Sequence, residues 1–356
     1  MKASSQLGLA LDPPPRSLPV LQEKSRGARF RELAPRQVLN SPATTGMGFW
    51  SLNPYVGCEF GCSYCYARKT HEWVMEKTVG RPDETVGRPD KTVGRSDGKT
   101  VGSSDDQPTP PTVLPSDRPA VSAWESFEHE ILVKNTAPDV LLRTLDPEKL
   151  KDSELVIGTA TDPYQPAERE FRLTRRVLEA LLRFQGLSIG LITKSPLVTR
   201  DIDVLVGLKE RHELSVNISI ASMDAELLRR LEARSPAPHA RIRALTRLRE
   251  AGIYAGMLIA PILPGITDGW GHLAQLFEAA QEAKACYVHG APLRLGPAAR
   301  TGFLPVLERE FPELVDRYRL RYGSRVHAGK DYEKALQRRV SSLRTAFGCK
   351  GLGVSG

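Results

Sequence analysis

Residues 53–68 read NPYVGCEFGCSYCYAR, and this stretch decides how the rest of the chain is interpreted. Its cysteines, Cys58, Cys62 and Cys65, follow the spacing C-x3-C-x2-C, and the aromatic residue Tyr66 follows the last of them. Thiolates are the protein ligands of iron–sulfur clusters, and four cysteines normally hold a 4Fe–4S cluster. Three cysteines with no fourth nearby would bind three irons and leave the fourth iron open to a small molecule.

Two other interpretations of these cysteines stay open. Zinc also binds three or four thiolates, and His71, six residues after Cys65, would complete a Cys3His site. Structural zinc sites usually use paired C-x2-4-C units, however, and the remaining cysteines, Cys286 and Cys349, are single and remote. Unligated thiols are the third interpretation. A disulfide framework is not expected, because five is an odd number and a chain of 356 residues buries a core without such bridges.

Composition indicates one large α/β domain with appended segments, since the chain has 356 residues of which 40% are hydrophobic. No apolar run approaches the roughly 18 residues of a membrane span. The proline-rich start, MKASSQLGLALDPPPRSLPV, is unlike a signal peptide. Cluster thiolates favour a reducing compartment, so we expect a cytoplasmic protein that does not contact a membrane.

Three segments are expected to flank or interrupt this domain, which we place at residues 46–295. Residues 1–45 contain three consecutive prolines and no apolar periodicity, and we predict an extended leader. Four seven-residue units then repeat the pattern KTVGRPD, each with one large apolar residue, which predicts a disordered insertion over residues 76–120. Residues 296–356 are predicted to form a basic helical C-terminal extension.

The net charge of +8 is concentrated in that extension. A basic helical segment would follow the phosphates of a nucleic acid, and a solvated helix face is the competing interpretation. The arginines of residues 229–249, including Arg241, recur at helical spacing and are expected on a helix surface. The cations of the extension are Arg317, Arg319, Arg321, Arg325, Lys330, Lys334, Arg338, Arg339 and Arg344.

From residue 124 onward, short apolar runs alternate with longer amphipathic stretches. This alternation predicts parallel strands joined by helices with right-handed crossovers. Six strand and helix units make an incomplete version of the eight-fold barrel, in which the chemistry lies at the carboxyl ends of the strands. The predicted strands occupy residues 127–135, 154–160, 187–194, 213–221, 253–263 and 285–294.

The predicted strand ends supply candidate site residues. Thr161 and Asp162 follow one strand, Lys194 ends the next and Ser219 lies at the end of the third. The loop TDPYQPAERE groups several polar residues, which we expect on the substrate side of the barrel; a plain proline-rich turn is the alternative. These polar residues are Asp162, Tyr164, Gln165 and Glu168.

The cysteine motif with its following aromatic residue resembles the signature of the radical S-adenosylmethionine (SAM) enzymes. The stretches SLNPYVGCEFGCSYCYARKTHEW, GTATDPYQPAEREFRLTR, LITKSPLVTRDIDVL and LIAPILPGITD look like the branch related to spore photoproduct lyase. They look most like its SplB-like "DNA repair photolyase" group. The resemblance runs from about Arg29 to about Leu295. It implies a partial (β/α)6 TIM-like barrel of the radical SAM type, with the cluster loop after the first strand.

The resemblance also implies cofactors and residue roles. Cys58, Cys62 and Cys65 would be the metal ligands of a 4Fe–4S cluster. Residues matching the SAM contacts of the lyase branch are Thr161, Lys194 and Ser219, and Tyr66 would offer backbone contacts to the adenine. Tyr64 and Tyr66 match two tyrosines that flank the third cluster cysteine in the lyase, which makes them candidate catalytic residues of a hydrogen relay; packing around the cluster is the alternative.

The implied reaction is reductive cleavage of SAM to methionine and a 5′-deoxyadenosyl radical, which abstracts a hydrogen from the substrate. An external electron donor of the flavodoxin or ferredoxin type would supply the electron. Thr159 stands where the lyase has a hydrogen-donating cysteine, so the substrate is left open, with nucleic acid as the first class we expect. The competing hypothesis is an iron–sulfur or zinc-binding protein without turnover, acting as an electron carrier or scaffold.

Overall fold

The fold is that of a computed structural model, which describes residues 18–23, 27–78 and 123–351. Most of the predicted repeat insertion and the first part of the predicted leader lie outside the described residues. In the part that is described, no helix is long and apolar enough to cross a membrane.

The described residues form short strands and helices in alternation. The strands are β1 (Val20–Glu23), β2 (Arg29–Glu32), β3 (Leu39–Asn40), β4 (Trp50–Leu52), β5 (Tyr55–Val56), β6 (Glu130–Val133), β7 (Leu155–Ile157), β8 (Ser188–Thr193), β9 (Glu213–Ser219), β10 (Ala255–Ile262) and β11 (Val288–Pro292). The helices are α1 (Pro42–Thr45), α2 (Arg68–Thr78), α3 (Ala123–His129), α4 (Ala137–Thr144), α5 (Pro147–Leu150), α6 (Glu168–Phe171), α7 (Leu173–Leu181), α8 (Ile202–Lys209), α9 (Ala225–Leu231), α10 (Pro238–Glu250), α11 (Trp270–Glu282), α12 (Pro297–Glu310), α13 (Val315–Tyr322) and α14 (Lys330–Ala346). Two 3-10 helices, Pro196–Asp201 and Pro312–Leu314, precede α8 and α13.

The main sheet has the order β11-β10-β9-β8-β7-β4-β3. Strands β4 and β7 to β11 run parallel to their neighbours, and β3 pairs with β4 antiparallel. Helices follow β7, β8, β9 and β10 before the next strand begins. The six parallel strands therefore confirm the predicted partial barrel, and they bring the carboxyl ends of all six to one edge of the sheet.

One predicted barrel strand belongs to a different sheet. The segment predicted over residues 127–135 forms a strand only in β6, which lies in a second sheet of order β1-β2-β6-β5. The first barrel strand is instead β4, three residues that immediately precede the cysteine motif. A run this short carries little periodicity of its own, and its pairing with β7 is what identifies it as a strand.

The second sheet also contains part of the predicted leader. Strand β2 pairs parallel with β6, and Phe30 at its centre is fully buried against the main core. Strands β1 and β2 pair with each other antiparallel, although composition predicts only an extended leader for these residues. The bounds of the leader, insertion and C-terminal extension stay predictions.

The helix predicted over residues 169–185 is interrupted. Arg172 adopts a left-handed conformation with φ of 46°, which ends α6 and begins α7. In the first turn of α7, Arg175 pairs with Asp201 of the 3-10 helix Pro196–Asp201 and with Asp203 of α8.

Two large apolar clusters of buried side chains hold the elements around the site together. One fills the space between the main sheet and its helices. The other packs the cysteine loop against the C-terminal helices, where Phe60 and Tyr64 of the loop share a cluster with Phe303 of α12 and Tyr318 of α13. The cysteine loop is therefore fixed by packing on residues about 240 to 260 positions further along the chain.

Candidate functional site

The three motif cysteines line one cavity of about 260 Å3 at the carboxyl edge of the main sheet. Cys58 and Cys62 are buried and Cys65 is partly exposed. The same cavity is lined by residues from the ends of five parallel strands, among them Thr161, Asp162, Lys194, Ser219, Pro261 and Pro292. The structure thus brings together the motif and most of the strand-end residues that the sequence predicts.

The placement of the cysteines can be compared with the needs of a single ion and of a cluster. Among the described residues, no three or more His, Cys, Asp or Glu side chains are placed to hold one metal ion. Zinc ligands must converge on one point about 2.3 Å from each sulfur. Cluster thiolates bind different irons and need not converge in this way. Three cysteines that line one cavity fit a 4Fe–4S cluster, in which each thiolate would bind a different iron.

His71, which would be the fourth ligand of a zinc site, is engaged away from the cavity. His71 is buried, its Nε2 lies 2.9 Å from the backbone oxygen of Glu130, and its ring packs edge-on against Phe127. It does not line the cavity. Cys286 and Cys349 lie outside the cavity lining as well.

The amino-terminal half of the cysteine loop is fixed by the loop that follows β7. Gly57 has a φ of 87°, and a Cβ there would lie 2.9 Å from the backbone oxygen of Phe127, so glycine is required. The Gly57 carbonyl accepts hydrogen bonds from Thr161 Oγ1 at 2.5 Å and Gln165 Nε2 at 3.1 Å. Gln165 Oε1 also accepts from the Glu59 backbone at 3.0 Å. These hydrogen bonds therefore join the cysteine loop to the loop that follows β7.

The carboxyl-terminal half of the loop is fixed by residues that follow α9. Cys62 forms an isolated antiparallel bridge with Glu232. The Glu232 carboxylate accepts hydrogen bonds from Tyr64 and Arg241, and Arg241 Nη1 donates to the Ser219 carbonyl at 3.0 Å. This buried network connects the cysteine loop to the end of β9.

Burial sets the electrostatics of the thiols. It raises the pKa of Cys58 to about 12 and raises the pKa of Cys62 and Cys65 as well. Thiols in this environment hold their protons unless a cation is bound beside them, and a coordinated metal deprotonates such thiols. The donor set therefore fits a positively charged metal group.

Lys194 carries positive charge into the cavity. Burial alone would lower the pKa of Lys194, but Cys62 and Glu232 outweigh burial and raise the pKa above its ordinary value. Its ammonium lies 5.9 Å from the ring centroid of Tyr64. The register pairs Thr193 of β8 with Ile218 of β9, so Lys194 and Ser219 are adjacent at the edge of the sheet.

Asp162 lines the cavity but uses its carboxylate to join two strand ends. It accepts hydrogen bonds from the Tyr164 backbone at 2.9 Å, Thr193 Oγ1 at 2.7 Å and the Lys194 backbone at 2.7 Å. Burial raises the pKa of Asp162, and these hydrogen bonds oppose the rise. The side chain therefore positions Lys194.

The other three residues predicted on the substrate side do not line the cavity. Tyr164, Gln165 and Glu168 are almost completely buried. Glu168 accepts hydrogen bonds from Tyr55 at 2.5 Å and from Arg200 at 2.8 Å, which ties the loop to neighbouring elements. Gln165 thus supports the cysteine loop and Glu168 joins neighbouring elements, while Tyr164 is buried outside the cavity lining.

The two candidate tyrosines have different surroundings. Tyr64 is buried and donates to Glu232, and burial raises its pKa well above the ordinary value. Tyr66 is 55% exposed, and its hydroxyl donates to the Thr159 carbonyl at 2.5 Å. Both line the cavity, and Tyr66 is the one whose ring reaches solvent.

Sequence reasoning missed the buried pair of Glu232 and Arg241. Arg241 is predicted on a helix surface, and this prediction is wrong because the side chain is fully buried against Glu232. Glu232 falls in the segment LEARSP, where its acidic character alone gives no signal. Arg294, which also lines the cavity, was not singled out either.

Residues 125–277 match the model of the Radical SAM superfamily, a range that begins after the three cysteines. Two uncharacterised proteins are similar in sequence. One, from Mycobacterium tuberculosis, is 29% identical over 327 residues, which cover 91% of this chain and 83% of the relative. The other, from Methanocaldococcus jannaschii, is 28% identical over 217 residues, which cover 61% of each protein.

Spore photoproduct lyase complexed with dinucleoside spore photoproduct is similar in fold, with a TM-score of 0.55 at 14% identity. The match covers 89% of this chain and 79% of the lyase. A lyase double mutant with bound AdoMet and dinucleoside spore photoproduct gives a TM-score of 0.56, with the same identity and coverage. Identity this low shows the fold alone. The family match identifies a Radical SAM domain over residues 125–277 and, together with this fold, supports an enzyme of the radical SAM class.

Proposed function

We propose that this enzyme holds a 4Fe–4S cluster with Cys58, Cys62 and Cys65, binds SAM beside it and reductively cleaves SAM to act on a substrate. One observation carries the proposal: the three cysteines line the same cavity as Lys194 and Ser219 at the carboxyl edge of the parallel strands. A cluster favours a reducing compartment, so the cytoplasm is the location we propose.

The cavity offers groups that match the methionine end of SAM, which carries an amine and a carboxylate. Lys194 would pair with the carboxylate as a point charge. The Thr161 hydroxyl already donates to Gly57 and accepts from Gln165 Nε2 at 3.0 Å, so one lone pair remains to accept from the amine. Ser219 has a hydroxyl at the neighbouring strand end and would contact the ribose or the amine.

When bound, the cluster and SAM supply one-electron cleavage of SAM and hydrogen abstraction from the substrate. An external donor of the flavodoxin or ferredoxin type would supply the electron. The protein would orient SAM with Lys194 and exclude water with the apolar wall that includes Leu258 and Leu293. Tyr66 would cover the adenine side, and its backbone would contact the base.

Thr159 stands where the lyase has its hydrogen-donating cysteine, which bears on whether the repair reaction of the lyase can be proposed for this protein. Thr159 has a hydroxyl, which holds its hydrogen atom far more strongly than a cysteine thiol does. Its Oγ1 accepts from Asn53 Nδ2 at 3.1 Å and is thereby engaged in the structure of the loop. We therefore do not extend repair of the dinucleoside lesion to this enzyme.

Nucleic acid is the substrate class we propose first. The similar lyase structure contains a dinucleoside spore photoproduct, and this chain has a net charge of +8 with a basic C-terminal extension. A surface of this charge favours a polyanion.

Anaerobic reconstitution followed by iron and sulfide analysis tests the cluster. SAM and dithionite are then added, with and without DNA, and methionine and 5′-deoxyadenosine are measured. We expect about four irons and four sulfides per chain, and formation of both products. Zinc without sulfide, or a reduced cluster that leaves SAM intact, would refute the proposal.

A further inference from the structure

A second cavity, of about 320 Å3, lies directly beside the proposed SAM cavity. The two cavities share Tyr66, Thr159, Ala160 and Arg294 in their linings. The hydrogen bond from the Tyr66 hydroxyl to the Thr159 carbonyl belongs to this common wall. A molecule bound in the second cavity would therefore sit next to the site of SAM cleavage.

The base of the second cavity contains a buried cation. Lys134 follows β6, its side chain is only 2% exposed, and its Nζ donates to the Asn53 carbonyl at 2.9 Å. No carboxylate pairs with Lys134 among the residues that the structure describes. An ammonium has three donors, so two remain unused. Burial of a charge without a counter-ion is costly, and a ligand anion would remove that cost.

The other charged residues that line the second cavity are also cations. Lys69 and Arg294 are exposed at the cavity and have no carboxylate partner in the described ranges 18–23, 27–78 and 123–351. Ser51 and Asn40 add hydroxyl and amide groups. No aspartate or glutamate is among the described residues that line this cavity. Three cations without a carboxylate match a doubly charged oxyanion better than a single carboxylate.

Asn53 connects this cavity to the proposed SAM cavity. Its backbone oxygen accepts from Lys134, while its side chain donates to Thr159 Oγ1 at 3.1 Å and accepts from the Ala160 backbone at 2.8 Å. The residue that holds the buried ammonium thus also holds the wall between the two cavities. A ligand bound to Lys134 would therefore lie one residue, Asn53, away from the shared wall.

We infer that the second cavity is the substrate subsite for a phosphate group, held by Lys134 at its base and by Lys69 and Arg294 at its mouth. The inference rests on the proposed function, because it assigns the cavity to the substrate of the radical reaction. It narrows the substrate to phosphate-bearing molecules, such as a nucleotide or a nucleic-acid strand, of which one phosphate enters the cavity.

The test is calorimetric titration of the reconstituted full-length protein, kept anaerobic in phosphate-free buffer. The probes are inorganic phosphate, a deoxynucleoside 5′-monophosphate, the corresponding nucleoside and acetate. We expect phosphate and the nucleotide to bind, and the nucleoside and acetate to bind at least about tenfold more weakly, since they lack the charge-assisted hydrogen bonds of a phosphate. Equal affinity for the nucleoside, or tighter binding of acetate, would overturn the inference.

Two variants locate the binding in this cavity. Lys134→Met should weaken phosphate binding by about tenfold or more, the loss of a hydrogen bond to a charged group. Lys69→Gln changes an exposed side chain and should weaken binding without affecting folding. The matched control is Lys151→Gln, an exposed lysine outside both cavities. Unchanged affinity in folded Lys134→Met and in Lys69→Gln would refute the assignment.

SAM cleavage in the same samples separates this inference from the proposed function. Cleavage of SAM by a protein that does not bind phosphate would overturn the inference and leave the proposed function intact. Phosphate binding that depends on Lys134, in a protein that cannot cleave SAM, would support the phosphate site and refute its assignment to a radical substrate.

Discussion

Arg241 and Glu232 form an ion pair in which neither side chain is exposed to solvent. Burial alone would raise the pKa of Glu232, but Arg241 and Lys194 outweigh burial and hold the pKa at about 2. Tyr64 donates to the same carboxylate, and the backbone of Cys62 bridges to Glu232. The pair therefore anchors the cysteine loop to the end of β9.

Removing one partner of this pair should be strongly destabilising. Glu232→Ala leaves a buried guanidinium without a counter-ion, and we expect a loss of about 3 to 5 kcal/mol in the free energy of unfolding. Replacing both partners, in Glu232→Leu with Arg241→Leu, should cost less than the single change, because no charge stays buried. Urea denaturation of the variants measures both effects.

An exposed ion pair provides the control for this comparison. Arg230 and Glu310 lie 3.7 Å apart with 44% and 22% of their side chains exposed. Arg230→Met should change stability by less than about 1 kcal/mol. A loss in Glu232→Ala no larger than that of Arg230→Met would show that the buried pair does not anchor the loop.

The cysteine assignment predicts a clear division among the five cysteines. Cys58→Ala, Cys62→Ala and Cys65→Ala should each abolish the visible absorption of the reconstituted cluster and the cleavage of SAM, because each removes one iron ligand. Cys286→Ala and Cys349→Ala should retain both properties. Loss of the cluster in either of these two would mean that the ligand set is incorrectly assigned.

The sequence predicted the cysteine loop and the strand ends because their signals are local. A C-x3-C-x2-C spacing and an apolar run that ends in Lys194 can be recognised without knowing what lies opposite. Arg241 could not be placed in this way, since an arginine at helical spacing looks the same whether it faces water or Glu232. Its position depends on the turn between α9 and α10 that brings the two residues together.

The polar loop after β7 is a second case in which residue type alone does not reveal what a side chain does. Gln165 and Glu168 have the residue types of a substrate site. Their side chains instead form hydrogen bonds with Gly57, Glu59 and Tyr55. A buried backbone turn needs such partners as much as a substrate does. Composition cannot distinguish the two uses, so only the contacts show that these side chains support the loop.

Lys134 predicts how stability changes with pH. Burial lowers its pKa from 10.5 to about 8 in the folded protein. Between these values the unfolded chain binds more protons than the folded protein, so stability rises as the pH increases from about 8 to 10.5. The full shift corresponds to a gain of about 3 kcal/mol.

The Lys134→Met variant isolates this contribution. It has no ammonium to desolvate, so the unfolding free energy of wild type should rise relative to that of the variant across that pH window. Urea denaturation at several pH values in phosphate-free buffer measures it, with Lys151→Met as the exposed control. Parallel stability curves for wild type and Lys134→Met would contradict a buried, charged Lys134.

The structure refines which cations of the C-terminal extension are available to a nucleic acid. Arg319 pairs with Glu308, and Arg339 donates to the Asp268 carbonyl while its guanidinium lies over the Trp270 ring. Lys334 and Arg338 are exposed on α14 and have no carboxylate partner among the described residues. These two are therefore the better positions for a charge reversal.

Reversing both charges, in Lys334→Glu with Arg338→Glu, should weaken binding to DNA and leave SAM cleavage without DNA unchanged. Wild-type affinity should fall steeply as salt rises, because phosphate contacts release counterions. The double variant should reduce the slope of log affinity against log salt by about 2, one for each lost phosphate contact. Fluorescence anisotropy with labelled single- and double-stranded DNA at several salt concentrations measures both quantities. The control, Arg143→Glu with Lys151→Glu, makes the same change in net charge at exposed positions elsewhere. An equal effect of the control would show that net charge alone, and not these two positions, determines DNA affinity. If the affinity of wild-type protein for DNA and RNA does not depend on salt, a nucleic-acid strand is excluded as the substrate, and a small phosphorylated molecule becomes the better candidate.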